Sequence, residues 1–374
     1  MKISFLTSGH SPFDDRIFYH MARSLADKNH SVIIITSTCY NTDSYDGIKL
    51  NCFDGINFPK KQKVLEFLSR LKEFDAEVII CSEPLPVYAA HNYKKICKQC
   101  VKVFYDITEW YPSKKNLCVY NQPIRWFHLI RLFIFNIWVS GFTDAFIFGE
   151  WYKSRPYRLL FPGKSFNYTS YYPDLKYIDS SPPEIIKGLL RLSYSGKISE
   201  EKGFVNFVKT IILLSELRPG LKIKVKVIGW YDETSRKLQE NISKLTTLGI
   251  SVEIFKRQSL TDYIQTIKDT DIFLDLRDTD LENNHCLPIK LFYYAALSRP
   301  VIFSDLKSIR KEININEFGF LVNPHDTFEI VKNILMYIDN SQIYIKHSLA
   351  ARAKIELEYN WNSLESQFID FVTL

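Results

Sequence analysis

The feature that most narrows what this chain can fold into is a rhythm that occurs twice. Short apolar, β-branched runs alternate with stretches of helical period. In the first half the runs fall at residues 3–7, 32–36, 77–81, 101–105 and 144–148, with helical patterns at 17–28, 63–74 and 86–98. Strands separated by helices cannot pair as hairpins, because a parallel neighbour requires a crossover of a dozen or more residues. Such strands are buried on both faces, which is why they read as unbroken apolar runs. Residues 162–183, rich in Pro, Ser, Tyr and Asn, break the rhythm and read as a linker. It resumes at 192–195, 222–228, 252–255, 271–274 and 301–304.

The expected architecture is therefore α/β, with two Rossmann-like domains. The first covers residues 1–165 and the second 188–357, with 166–187 between them. Residues 358–374 hold an amphipathic helix with no strand after it, expected to return to the first domain. A chain of 374 residues is longer than one core usually serves. Open parallel sheets bind ligands beyond the carboxyl ends of their strands, so the two domains are expected to face each other across a cleft. This pattern alone equally suits a dehydrogenase, an epimerase or a sugar-binding protein.

A formal charge of +6 suits an anionic partner such as a nucleotide phosphate, a lipid pyrophosphate or a membrane surface. The basic residues form no dense stripe and no nucleic-acid motif, so a nucleic-acid partner is not expected. Seven scattered cysteines argue against a disulfide framework. Cys39, Cys52 and Cys81 read as small core residues beside strands. Cys97 and Cys100 have redox or metal spacing, but no second pair answers them. The first residues look like a β-strand and not a signal peptide, and a reducing cytoplasm is the expected location.

Two segments carry chemistry. In Tyr194-Ser195-Gly196-Lys197-Ile198-Ser199-Glu200-Glu201-Lys202-Gly203 a strand ends at a glycine and brings two ammonium groups to the top of a sheet. Fixed cations there would stabilise a departing diphosphate; a solvated lysine-rich turn is the plain alternative. Ser199 is placed to cap the helix that follows. In Leu287-Pro288-Ile289-Lys290-Leu291-Phe292-Tyr293-Tyr294, Pro288 suits the first position of a helix. The helix N-terminus would offer N–H groups and a positive dipole end to a phosphate. Its plain alternative is one more helix-to-strand unit.

Together these segments resemble the family-four group of retaining glycosyltransferases, which have the GT-B architecture. Further stretches match in the same order along nearly the whole chain: Asp14-Asp15-Arg16-Ile17, Tyr105-Asp106-Ile107-Thr108-Glu109-Trp110-Tyr111-Pro112, Gly319-Phe320-Leu321-Val322-Asn323-Pro324 and Tyr359-Asn360-Trp361. The resemblance implies a nucleoside-diphosphate-sugar donor, retention of anomeric configuration, and a front-face mechanism without metal or other cofactor. It implies Lys197 and Lys202 as the groups on the donor diphosphate. Gly9, Gly196, Thr108, Leu287, Pro288 and Tyr293 are implied at the donor. Asp106 and Glu109 would either position the acceptor hydroxyl or brace their loop. The acceptor would be a glycan or lipid-linked sugar of surface polysaccharide assembly.

The chain departs from the family at several places. Lys197 stands for an arginine, keeping charge but losing the bidentate fork. Tyr293 and His285 stand where the family has glutamates, and Thr108 where it has histidine. Two other classes therefore stay open: a catalytically inactive binding subunit of the same fold, and a nucleotide-sugar epimerase. The pairs Asp269/Asp271 and Asp278/Asp280 mimic a metal motif of another architecture, and no metal is assigned to them. Lastly, residues 124–142 mix Trp126, Phe127 and Trp138 with Arg125, His128 and Arg131. The central arginines make a membrane span costly. A helix lying in the membrane interface, with both indoles outward, and a helix buried in the first domain are the two readings.

Overall fold

The computed structural model describes residues 1–97, 99–113, 117, 121–180, 184–231 and 238–374. It divides the chain into two compact units, residues 1–171 with 361–374, and residues 172–360.

In the first unit the strands are β1 (Lys2–Thr7), β2 (Ser31–Thr36), β3 (Ser44–Tyr45), β4 (Ile48–Cys52), β5 (Val78–Cys81), β6 (Lys102–Ile107), β7 (Ala145–Phe148) and β8 (Ser165–Tyr168). They form one sheet in the order β3-β4-β2-β1-β5-β6-β7-β8. Every described pair is parallel except β3 with β4. Successive residues serve opposite faces, as strand geometry requires. Ile33 and Ile35 enter one apolar cluster with Phe67, Val87 and Tyr105. Val32 and Ile34 enter the other, with Phe18, Met21, Trp361 and Phe368. The helix Asn362–Thr373 belongs to this second cluster through Phe368, Ile369 and Val372. Just before it, the Trp361 indole stacks on His20 at 5.0 Å and donates to Ser24 Oγ at 2.8 Å.

The second unit holds β9 (Leu189–Lys197), β10 (Lys222–Trp230), β11 (Ser251–Phe255), β12 (Ile272–Asp275), β13 (Val301–Ser304) and β14 (Gly319–Val322). Their order is β11-β10-β9-β12-β13-β14, parallel throughout. Leu192, Val225 and Leu274 face one core, and Phe273, Val301 and Phe303 the other. The two sheets are thus built on one plan: the first strand is central, and the chain returns to its far side at β5 in one and at β12 in the other. Each sheet has a switch point between those two strands, where the loops diverge and a ligand crevice opens.

Several expectations need correction. The segment read as linker contains strand β8, whose Ser-Phe-Asn-Tyr sequence carries no apolar run. Strands β3, β4 and β14 lay outside the expected set, and residues 98 and 181–183 lie outside the described residues. Cys39 is exposed, not core, and Cys52 is only half-buried. Ser199 does not cap a helix: the helix Phe204–Leu217 begins after Gly203, and Ser199 Oγ accepts from Lys202 N within the preceding turn. Pro288 is the residue before the helix Ile289–Ala296, not its first turn.

Gly203 has φ +80°, and a Cβ there would lie 2.2 Å from the Leu276 carbonyl. A left-handed backbone and this contact with main chain both require glycine. Gly203→Ala is expected to lower stability by about 2–3 kcal/mol, measured as a shifted urea midpoint with unchanged slope.

Candidate donor site and the first-unit switch point

At the switch point of the second sheet, the loops after β9 and β12 meet the start of the helix Ile289–Ala296. Gly196, with φ +123°, ends the ordinary run of β9, and a Cβ on it would press on Lys290 Nζ at 3.1 Å. Across the ladder Gly196 pairs with Gly229, where an added Cβ would fall 2.0 Å from the Gly196 carbonyl. The two glycines let neighbouring strand ends lie flat together, and the space above Gly196 is taken by the Lys290 side chain. Lys290 Nζ donates to the Ser195 carbonyl and stands 3.6 Å from Asp275 Oδ2. Asp275, the last residue of β12, accepts from Arg277 Nε at 2.7 Å and from its terminal nitrogen at 2.5 Å. Lys202 Nζ donates to Asn283 Oδ1 at 2.8 Å, and Asn283 is fixed in turn by Asp280.

The electrostatics follow from this arrangement. Burial by itself would raise the Asp275 carboxyl, but Arg277 and Lys290 outweigh it and hold it down at about 2. Burial, joined by the charges of Arg277 and Lys202 and opposed by Asp275, pushes Lys290 down to about 8. One carboxylate thus answers two cations directly while Lys202 approaches the same group. Three side chains from three separate segments make an electropositive floor, with Lys197 at the end of β9. Such a floor can hold an anion and favours any state in which negative charge grows.

The remaining site expectations for this unit divide. Gly196 and Lys202 lie at the floor. Leu287 and Pro288 are buried, and Leu287 packs into the apolar core. Tyr293 is a correction: at 2% exposure it is one of the core side chains, with Phe292 and Leu291, and it presents no acceptor to a ribose. His285 Nδ1 lies 2.9 Å from the Leu281 carbonyl. The carboxylates of the two Asp-x-Asp pairs have other partners. Asp269 pairs with Lys226, Asp271 with Arg191 and Asp278 with His325, while Asp280 caps the helix Leu281–Asn284. Among the described residues no group of three His, Cys, Asp or Glu is placed to hold a metal ion.

At the first sheet's switch point, the loops after β1 and β5 also meet. His10 Nδ1 is 3.1 Å from Asp14 and Nε2 3.7 Å from Glu83. Glu83 accepts from Thr7 Oγ1 and Ser8 N, each at 2.9 Å. Burial would lower the His10 imidazole, but hydrogen bonding and charge from Asp14, then Glu83 and Glu109, push it up to about 10. The neighbouring carboxylates thus favour the protonated imidazole of His10. Gly9 beside it is exposed, and a Cβ there would meet only Glu83 Oε1, at an ordinary 3.5 Å. The protein's own packing leaves room for a side chain at Gly9.

For Asp106 the geometry favours the bracing alternative over contact with an acceptor. The residue is fully buried, and both its oxygens accept from Arg16, at 2.8 and 2.7 Å. Arg16 also donates to the Thr169 carbonyl and lies over the Tyr171 ring. With no exposed oxygen, Asp106 braces its strand and cannot touch an acceptor. Glu109 is exposed. The Thr108 carbonyl accepts from Tyr171 OH at 2.8 Å and from Lys153, while its own hydroxyl is buried without a partner.

Sequence reasoning missed Asp275, Arg277, Lys290, His10 and Glu83 as a group. Each does stand within a few residues of a strand's carboxyl end or a helix start, which is the signal that could have found them.

Residues 180–354, all within the second unit, match the family profile described as Glycosyl transferases group 1. A sequence search of curated proteins finds no match. Among solved structures, sucrose-phosphate synthase from Thermosynechococcus elongatus is similar at TM-score 0.74 and 12% identity, over 99% of this chain and 98% of that one. HepE from Anabaena, in complex with UDP-glucose, is similar at TM-score 0.71 and 13% identity, over 100% and 99%. WaaG, a glycosyltransferase involved in lipopolysaccharide biosynthesis, is similar at TM-score 0.72 and 14% identity, over 99% of each chain. The fold is that of the GT-B glycosyltransferases.

Proposed function

We propose that this chain transfers a sugar from a nucleoside diphosphate sugar to a glycan or lipid-linked acceptor, with retention, in surface polysaccharide assembly. The observation that carries this reading is the cationic floor of Lys202, Arg277 and Lys290 over Gly196, at the switch point of the second sheet. The donor diphosphate would rest there. As the bond from the anomeric carbon to the diphosphate oxygen breaks, negative charge grows on that oxygen and the cations stabilise it. The acceptor oxygen bonds to the anomeric carbon on the same face, and its proton passes to the departing diphosphate. No cofactor is needed for this sequence of bonds.

One observation favours a second reading, a binding subunit that does not turn over. With Tyr293 in the core and His285 in place of a carboxylate, the usual acceptors for donor ribose are absent at those two positions. A lost hydrogen-bonded pair of this kind would weaken donor binding by about 1–3 kcal/mol. The test screens UDP-, GDP- and other activated sugars by thermal shift and then follows nucleotide release with and without acceptor. HepE was solved with UDP-glucose, so UDP sugars come first. Release that requires an acceptor supports transfer. Binding without release favours the subunit, and an isomerised donor without acceptor favours an epimerase.

The floor also sets a pH dependence. Lys290 titrates at about 8 in the free protein, and an anion beside it would raise that value. Donor affinity should therefore be constant below about pH 8 and fall by up to about tenfold per unit above it. The donor's diphosphate does not titrate in that range, and since the base N–H of uracil or guanine ionises near its upper end, the free nucleoside serves as the reference titration. Calorimetric titrations from pH 6.5 to 9.5 check this, and Lys290→Arg should flatten the profile.

A further inference from the structure

The helix Ile124–Ser140 turns Leu132, Asn136, Val139 and Ser140 toward the core. At about 100° per residue, the opposite half carries Trp126, Phe127, Ile130, Phe133, Ile134 and Trp138. Each of these is between 46% and 64% exposed. A surface helix ordinarily keeps polar residues on that side. A continuous apolar face about 18 Å long is a docking surface.

Charge specifies the occupant. The helix contains no acidic residue, and its ionisable groups are Arg125, His128 and Arg131. Lys60, which opens the helix Lys60–Phe74, lies beside Arg131: burial and then that neighbouring charge push the Lys60 ammonium down. Burial, Arg131 and Lys60 push the His128 imidazole down as well. Among the described residues no carboxylate forms an ion pair with Arg131 or Lys60. No described helix is long and apolar enough to cross a membrane.

We infer that this face lies on an anionic lipid surface, its indoles and aliphatic side chains in the acyl boundary and Arg131 and Lys60 among the headgroups. Indoles suit that boundary, and basic groups beside it are drawn to acidic lipids. A second copy of the chain fits less well. A two-fold contact uses the same patch twice, and this helix carries basic groups with no acidic residue to answer them on the other copy.

The full chain is to be sedimented with vesicles of phosphatidylcholine alone and of phosphatidylcholine with about one third phosphatidylglycerol. Binding should rise by about tenfold or more with the anionic lipid and fall as salt is added. The double variant Phe127→Glu/Ile134→Glu should lose binding while keeping its thermal midpoint, because both side chains point outward. Arg131→Glu should lose the preference for anionic lipid. Equal pelleting with and without vesicles, or undiminished binding by the double variant, would overturn the inference. So would a wild-type dimer in light scattering that the double variant converts to monomer, since the face would then belong to a second copy.

Discussion

Lys202→Ala should lower the rate of sugar transfer by about a hundredfold or more, equivalent to about 3 kcal/mol of transition-state stabilisation. The size follows from where the ammonium stands. It is held on Asn283 Oδ1 at 2.8 Å, beside the Lys290–Asp275–Arg277 group, and its side chain is 34% exposed. A cation so placed acts most when the diphosphate oxygen acquires its full charge, so kcat should fall more than KM rises. The fold should not suffer. Asn283 keeps its bonds to Asp280 and to the Glu201 carbonyl, and the ion pair lost among the described residues is with Glu201, at 3.4 Å. An exposed pair of that kind contributes little. Steady-state kinetics with the donor found in the screen, together with a thermal melt, check both halves. Unchanged turnover would remove this loop from the mechanism.

Asp106→Ala should act on stability, lowering it by about 3–5 kcal/mol. The mutation leaves the Arg16 guanidinium, itself 4% exposed, without the carboxylate that accepts two of its hydrogen bonds. Among the described residues the Thr169 carbonyl and the Tyr171 ring would remain in contact, with the Asp14 charge nearby. Burying an unanswered charge costs more than the pair contributed, which is why removing one partner is so damaging. Glu109→Gln, on the exposed neighbour, should change stability by no more than about 0.5 kcal/mol. Urea unfolding of the two variants makes the comparison. If Asp106→Ala unfolds like the parent protein, the residue is free for a role other than bracing.

The parallel-sheet plan was legible because runs such as Val-Ile-Ile-Ile and Val-Ile-Ile-Cys are buried on both faces and therefore apolar throughout. The edges were not. Strand β8 exposes half of its residues, and β4 alternates buried Ile48 and Leu50 with exposed Lys49, so neither gives a continuous run. Site residues split the same way. Lys197, Lys202 and Gly196 share one short segment and could be read together. Lys290, Asp275 and Arg277 join them only through tertiary packing, which no spacing in the sequence records. The role of Asp106 stayed open for the same reason, because its partner stands 90 residues earlier. Tyr293 was misplaced by position: an apolar ring where a family carboxylate would stand is free to pack inward, and it does.

The helix Asn362–Thr373 and Trp361 complete a core begun by β1. Phe371 stands 5.5 Å from Phe104, and Trp361 closes over His20 and Ser24, 337 residues distant from the latter in sequence. During synthesis, the first unit therefore emerges with an apolar trough that residues 361–374 later fill. It has to wait, partly unsealed, while the whole second unit is made and threaded between its two pieces. Domains usually settle in the order they leave the ribosome. Here the first to appear is the last to be finished, and its core closes only once residues 361–374 have been made.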